Sequence, residues 1–171
     1  EAEEVKNVLD EANKEAMKYL PNDTISENPV VQVWRQAYQK SPTKEGARCS
    51  LEHLLKRVLH GKPVGSIAPS VDITNAIPLK YAFPIGVENM DAFQGDLHLG
   101  IMEGTEDFLP IGSSEQDPPL KGELAYRDDY GVVCRCWNWR DGQRTEVTDD
   151  TTNEFVIMEC IEPDRIDDLS L

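Results

Sequence analysis

Long apolar runs are missing from this chain. No stretch of its 171 residues approaches the ~20 consecutive apolar residues that a membrane-spanning helix requires, so a helical span is excluded. Basic residues are scarce: 17 Lys and Arg stand against 32 Asp and Glu, a formal net charge of −15. A surface of that average sign repels polyanions, so contact with a nucleic-acid backbone needs a local basic patch. There are only three histidines, and neither His53 nor His60 has a Cys or second His at ligand spacing, so no metal site is expected. The cysteines are Cys49, Cys134, Cys136 and Cys160. Cys134 and Cys136 fall one residue short of the Cys-x-x-Cys spacing of metal and redox sites, and read as small buried hydrophobes of a reducing cytoplasm. A Gly-rich phosphate loop, a Ser nucleophile elbow and internal repeats are all absent. No cofactor is expected, and the localisation expected is cytoplasmic. The chain opens without Met inside a helical pattern, which suggests a fragment whose first strands are missing.

What is present is enough apolar residue, 39%, for one domain with a real core. We therefore expect a single domain over 1–171, with a loose acidic tail over 163–171. Residues 1–20 read as a helix: Val5, Val8, Leu9, Ala12, Ala16 and Met17 make an apolar stripe, and glutamates crowd the first turn. A second helix begins near Ser26 or Asn28, with Pro29 at a first-turn position and Val30, Val33, Trp34, Ala37 and Tyr38 on its apolar face. Ser50 caps a third helix over 51–60, which Gly61 stops. Asp72 to Ile77 reads as a short helical piece interrupted at Pro78, where Asp72, Thr74 and Asn75 either cap the helix or line a cavity.

From residue 84 the pattern turns to β. Strands are expected at 97–101, 107–111, 123–126 and 154–161. The run from Gly131 to Thr145 begins as another strand and then gathers Trp137, Asn138, Trp139, Arg140 and Arg144 towards a Gly turn. Its arginines either line a ligand pocket or close a salt-bridge network in which Arg135, Arg140 and Arg144 pair with Asp72, Asp141 and Glu159. Helices first and strands afterwards argue for an α+β fold with an antiparallel or mixed sheet.

The ordered set Trp34, Arg35, Tyr38, Ser50, Glu52, Leu54, Leu55, Arg57, Gly61, Val71, Asp72 and Asn75 continues through Leu79, Pro84, Gly86, Asp91, Gly95, Asp96, Glu106, Phe108, Gly122, Glu123, Cys134, Arg135, Trp137 to Arg140, Thr145 and Glu159. With that spacing the chain resembles the B3/B4 domain of the phenylalanyl-tRNA synthetase β subunit, and especially the small stand-alone proteins built from that domain. The resemblance implies a multi-layered domain enclosing a cavity between sheets. In the synthetase that cavity hydrolyses tyrosine wrongly esterified to the phenylalanine tRNA. Val71 to Asn75 matches its Val-Asp-x-Thr-Asn motif, whose Thr and Asn line the cavity, and Glu159 matches a glutamate that recognises the tyrosine hydroxyl. Where the synthetase carries a cavity histidine, this chain has Ala82 to Gly86 and no histidine.

The function this implies is binding of the aminoacylated 3′ end of tRNA and hydrolysis of a mischarged ester in trans. Such hydrolysis needs a positioned water and stabilisation of the developing oxyanion. Thr74 and Asn75 are the candidate catalytic residues, holding the water. Asp72, Asn138, Arg140, Arg144 and Glu159 are the candidate substrate-binding residues. An arginine would meet the terminal phosphate or the oxyanion, and Glu159 an ammonium or hydroxyl. Two alternatives stand beside this: a non-catalytic module for an amino acid, a nucleotide-like ligand or RNA, and a protein-partner module with a vestigial pocket.

Overall fold

A computed structural model describes residues 2–170. The fold is α+β, with helices preceding two small sheets. The chain divides into two compact units: the described residues up to Arg35, with Ser50–Gly86 and Met158 onward, form the first, and Gln36–Cys49 with Val87–Ile157 form the second.

The first unit is helical. α1 (Ala2–Glu15) places Glu3 and Glu4 in its first turn, where the helix dipole favours acid. It buries Leu9, Ala12 and Asn13 and packs chiefly on α4. Asn13 is tolerated there because its side chain is satisfied: Nδ2 donates to the carbonyls of Leu9 (3.0 Å) and Val64 (2.9 Å), and Oδ1 accepts from Val64 N (2.8 Å). α2 (Pro29–Tyr38) starts on a proline, whose missing N–H costs nothing at that position. α3 (Ser50–Leu59) buries Leu51, Leu55 and Val58, and also Glu52, which receives Arg35 Nε and Nη2 at 3.1 and 2.5 Å.

α4 (Pro69–Tyr81) is longer than the sequence suggests. Pro78 does not end it. The helix continues to Tyr81, and Ala82 closes it in the left-handed region, its N–H donating to the Pro78 carbonyl at 2.8 Å. The proline's one local cost is that it offers no N–H to the carbonyl of Thr74 four residues earlier. The C-terminal stretch, expected to be loose, forms a 3-10 helix over Pro163–Leu169. Arg165 pins it: Nη2 donates to Tyr81 O at 2.6 Å, Nη1 to Ala82 O at 3.3 Å, and the guanidinium lies 4.2 Å from the Phe83 ring centre. The acid count hid this anchor, which depends on one cation.

The second unit contains an antiparallel sheet in the order β2-β3-β4-β5, formed by His98–Ile101, Leu124–Arg127, Val132–Arg135 and Arg140–Asp141. Met102, Phe108, Ala125 and Val132 form a buried cluster under it. Between β3 and β4 the register shifts at Tyr126/Arg127. Asp128 ties the turn that follows, its Oδ1 accepting from Tyr130 N (3.0 Å) and Gly131 N (3.1 Å). Gly131 is required there, since a Cβ would lie 2.6 Å from the Asp107 carbonyl oxygen. The strand expected at 107–111 is absent; only Pro110 makes an isolated bridge, to Gly142. Proline has no N–H for a ladder, which limits pairing at this segment.

β1 (Ile85–Asn89) pairs with β6 (Glu154–Met158) in the second, two-stranded sheet. β6 is shorter than the expected 154–161.

Candidate functional site

The residues singled out from the sequence fall into two groups, one in each unit. Asp72, Thr74, Asn75 and Glu159 belong to the first, and Asn138, Arg140 and Arg144 to the second.

In the first group α4 fixes the geometry. Asp72 is 2% exposed, and both its carboxylate oxygens face the start of its own helix. Oδ2 accepts from Ser66 Oγ at 2.5 Å and Oδ1 from Ile67 N at 2.8 Å. The Ser66 hydroxyl first, and then those backbone donors, hold the carboxyl below its ordinary range. Asp72 thus acts as a reverse cap that pins the N-terminus of α4. One turn later, Thr74 Oγ1 donates to the Val71 carbonyl at 2.9 Å. A hydroxyl whose proton is so engaged offers only lone pairs to anything else. Asn75 is half-buried, and its carboxamide has no partner among the described residues. Glu159 is set by its backbone: its N–H donates to Pro84 O at 3.1 Å, on the segment that leaves α4.

In the second group the decisive element is a turn. The strand expected to run through Trp137 stops at Arg135, and the β4–β5 hairpin closes over residues 136–139. Cys136 and Trp137 both sit at positive φ, 47° and 66°. Two consecutive left-handed non-glycine residues cost on the order of 1–3 kcal/mol each and persist only when the surroundings over-determine them. Those surroundings are visible. Cys136 N donates to Glu123 Oε1 (2.8 Å), Trp137 N to Leu124 O (2.7 Å), and Tyr38 OH to Asn138 Oδ1 (2.6 Å). Arg135, 1% exposed, donates through Nε and Nη2 to Glu123 Oε1 and Oε2 at 3.1 and 2.8 Å, while its Nη1 lies 2.9 Å from Asp117 Oδ2. Burial works against the Glu123 carboxylate, yet these donors hold it below its usual range.

The ion pairs therefore differ from the expected network. Arg135 takes Glu123 and Asp117. Arg144 takes Asp128 in a two-pronged bond, Nη1 to Oδ2 at 2.8 Å and Nη2 to Oδ1 at 2.7 Å, with Nη1 also on Ala92 O at 2.9 Å. Arg140 is exposed, with its guanidinium 5.9 Å from the Trp139 ring centre. Asn138 is half-buried and bound to Tyr38, so it is part of what fixes the turn.

Sequence reasoning missed one cluster. Glu88, 5% exposed, and half-buried Asp141 form a carboxyl pair beside Thr145, and neither Glu88 Oε2 nor Thr145 Oγ1 meets a hydrogen-bond partner among the described residues. Burial first, and the Asp141 charge second, push Glu88 up to about 9. Asp141 is raised too, by burial. The pair is distant in sequence, so no spacing announces it. Cys134 and Cys136 are also pushed up by burial, Cys136 to about 11, so both are thiols at neutral pH rather than nucleophilic thiolates. Among the described residues no three His, Cys, Asp or Glu side chains are grouped to hold a metal ion, and no helix is long and apolar enough to cross a membrane.

Both groups fall within a span that the comparisons with known proteins match. A family model described as the B3/4 domain matches residues 33–170. The chain belongs to the B3/4 domain family. The matched span begins just before Trp34, takes in α4 and Glu159, and continues through both sheets and the C-terminal 3-10 helix. No curated protein matches the chain. Val71 to Asn75 lies within the matched span.

Proposed function

We propose that this B3/4 domain binds the aminoacylated 3′ end of a tRNA and hydrolyses a mischarged ester in trans. The observation that carries the reading is the state of Asn75: a carboxamide without a partner among the described residues, on a helix whose start is pinned by Asp72 and within the span of the family match. Thr74 and Asn75 divide the work on a water molecule. The Thr74 hydroxyl, its hydrogen engaged by Val71 O, accepts a hydrogen bond from the water and orients it, and the proton released on attack passes to bulk solvent. The Asn75 amide donates to the ester carbonyl, where negative charge develops. An aminoacyl ester is activated, so positioning by neutral groups provides a usable share of the rate without a histidine base. Glu159 provides the carboxylate for the substrate's ammonium or hydroxyl.

The net charge of −15 limits contact to the acceptor end, since long-range steering of a polyanion is unfavourable. In the second unit Arg140 is exposed and lies outside the ion pairs that occupy Arg135 and Arg144, which leaves its guanidinium available to an anion. The test is release of amino acid from a panel of mischarged tRNAs. Acceleration for at least one substrate, lost in Asn75→Ala and Glu159→Ala, supports the reading. No acceleration for any substrate refutes hydrolysis. A binding-only version is favoured by one fact, the engagement of the Thr74 proton with Val71 O, which leaves no side-chain donor at that position. Tight binding of a non-hydrolysable aminoacyl adenosine without turnover would establish it.

A further inference from the structure

The second unit holds a recess of about 310 Å³ that the 3′-end reading does not use. Its floor is apolar: Phe108 and Val132 are 2% and 5% exposed, and Gly142 keeps it open, since a Cβ there would stand 3.2 Å from the Phe108 ring. One wall is Tyr130, 54% exposed. Asp107 and Arg144 complete the charged lining.

Arg144 looks at first like an anion receptor, but its charge is cancelled. Both Nη atoms bind Asp128, and Nη1 also binds Ala92 O. Its guanidinium lies 4.7 Å from the centre of the Tyr130 ring and so holds one side of that ring in place. Asp107 is the opposite case. Its residue is exposed, its backbone carbonyl is fixed by Val132 N at 2.9 Å, and its carboxylate has no ion pair or hydrogen bond among the described residues. The remaining charge of the recess is therefore negative, next to an aromatic ring and an apolar floor. Gln116, whose Oε1 is taken by Phe108 N at 2.8 Å, keeps only its amide N–H groups for another partner.

We propose that this recess docks a lysine or arginine side chain carried by a basic segment of a partner protein. The apolar floor matches the methylene stem of such a side chain. Asp107 and the free part of the Tyr130 ring match its cation. A free amino acid fits less well, because its α-carboxylate would find the only guanidinium of the recess already neutralised by Asp128. The chain's charge of −15 raises the encounter rate with a basic segment and makes it salt-sensitive.

The experiment is fluorescence anisotropy of the full chain with a labelled decapeptide containing three lysines, and with the same peptide carrying norleucine at those positions. The lysine peptide should bind and the norleucine peptide should not. Asp107→Asn should weaken binding roughly tenfold, and Tyr130→Leu roughly threefold. Glu154→Gln, which removes the same charge from an exposed position of the second unit outside the recess, should leave it unchanged. Because the Asp107 carboxylate makes no ion pair or hydrogen bond among the described residues, the melting temperature of Asp107→Asn serves as the control and should match that of wild type. Equal loss from Asp107→Asn and Glu154→Gln would overturn the proposal and leave only non-specific acidity. Displacement by free lysine or spermidine at the peptide's own concentration would also overturn it, since the site would then take a small cation. Absence of peptide binding would do the same.

Discussion

Replacing Arg135 by Met tests how the hairpin turn is held. Arg135 is 1% exposed and Glu123 is fully buried. The substitution removes both prongs on Glu123, at 3.1 and 2.8 Å, and the contact with Asp117 at 2.9 Å. Glu123 is left as a buried carboxylate that still accepts from Leu120 N and Cys136 N at 2.8 Å each. Breaking a buried pair from one side costs about 3–5 kcal/mol, because the remaining charge has no counter-ion. For a chain of this size that is a fall in melting temperature of roughly 6–20 °C. The change should be followed by near-ultraviolet circular dichroism, which reports on Trp137 and Trp139 beside the affected turn. Glu123→Leu alone should cost a similar amount, since it also strands the Leu120 and Cys136 donors. The double variant should be less destabilised than the sum by about 2–3 kcal/mol, the signature of a shared interaction. Acid provides an independent check. Glu123 has a depressed carboxyl, so its contribution is present above the unfolded value of about 4.3 and is lost as pH falls through the folded one. Wild type should lose stability over that acidic window more steeply than Arg135→Met. A variant within about 1 kcal/mol of wild type, or strict additivity in the double, would refute the assignment of the turn's rigidity to this pair.

The Glu88–Asp141 pair makes the opposite pH prediction. Glu88 is raised to about 9, so the stability tied to its proton is complete below the unfolded value of about 4.3 and is lost as pH rises through about 9. Urea denaturation from pH 5 to 9 should show wild type weakening, with Glu88→Gln weakening less; parallel curves would show that the pair does not share a proton. Asn28, fully buried, gives Nδ2 to the carbonyls of Asn22, Thr24 and Ile25 and accepts Asn22 N at 2.9 Å. Asn28→Ala should lower stability by about 2–3 kcal/mol in chemical denaturation by orphaning those groups, and a loss under about 0.5 kcal/mol would contradict this.

Much of the fold was legible because its signals are local. Pro29 at a first helical turn, Ser50 opening α3 and Gly61 after it each mark a boundary through their own backbone chemistry. The same logic failed at Pro78, where packing of α4 on α1 outweighs one missing N–H, and at residues 107–111, an expected strand that Pro110 confines to a single bridge. The helical placement of Asp72, Thr74 and Asn75 was legible, since α4 carries all three. The partners of the arginines were not. Glu123 for Arg135 and Asp128 for Arg144 are chosen by strand register and turn geometry, which do not appear as a spacing. The two left-handed residues at Cys136 and Trp137 were hidden for the same reason, since Trp and Cys give no local signal for positive φ.

The most direct measurement is the single-turnover rate of amino-acid release from the mischarged tRNA that the domain hydrolyses fastest, compared for wild type, Asn75→Ala and Glu159→Ala. The account predicts that Asn75→Ala lowers the saturated rate by about 10²-fold with little change in apparent affinity, because its amide acts on charge that develops only in the transition state. It predicts that Glu159→Ala acts mainly through apparent affinity, because its carboxylate meets the substrate already in the ground state. An Asn75→Ala rate equal to that of wild type, or no release above the spontaneous rate from any mischarged tRNA, would contradict it.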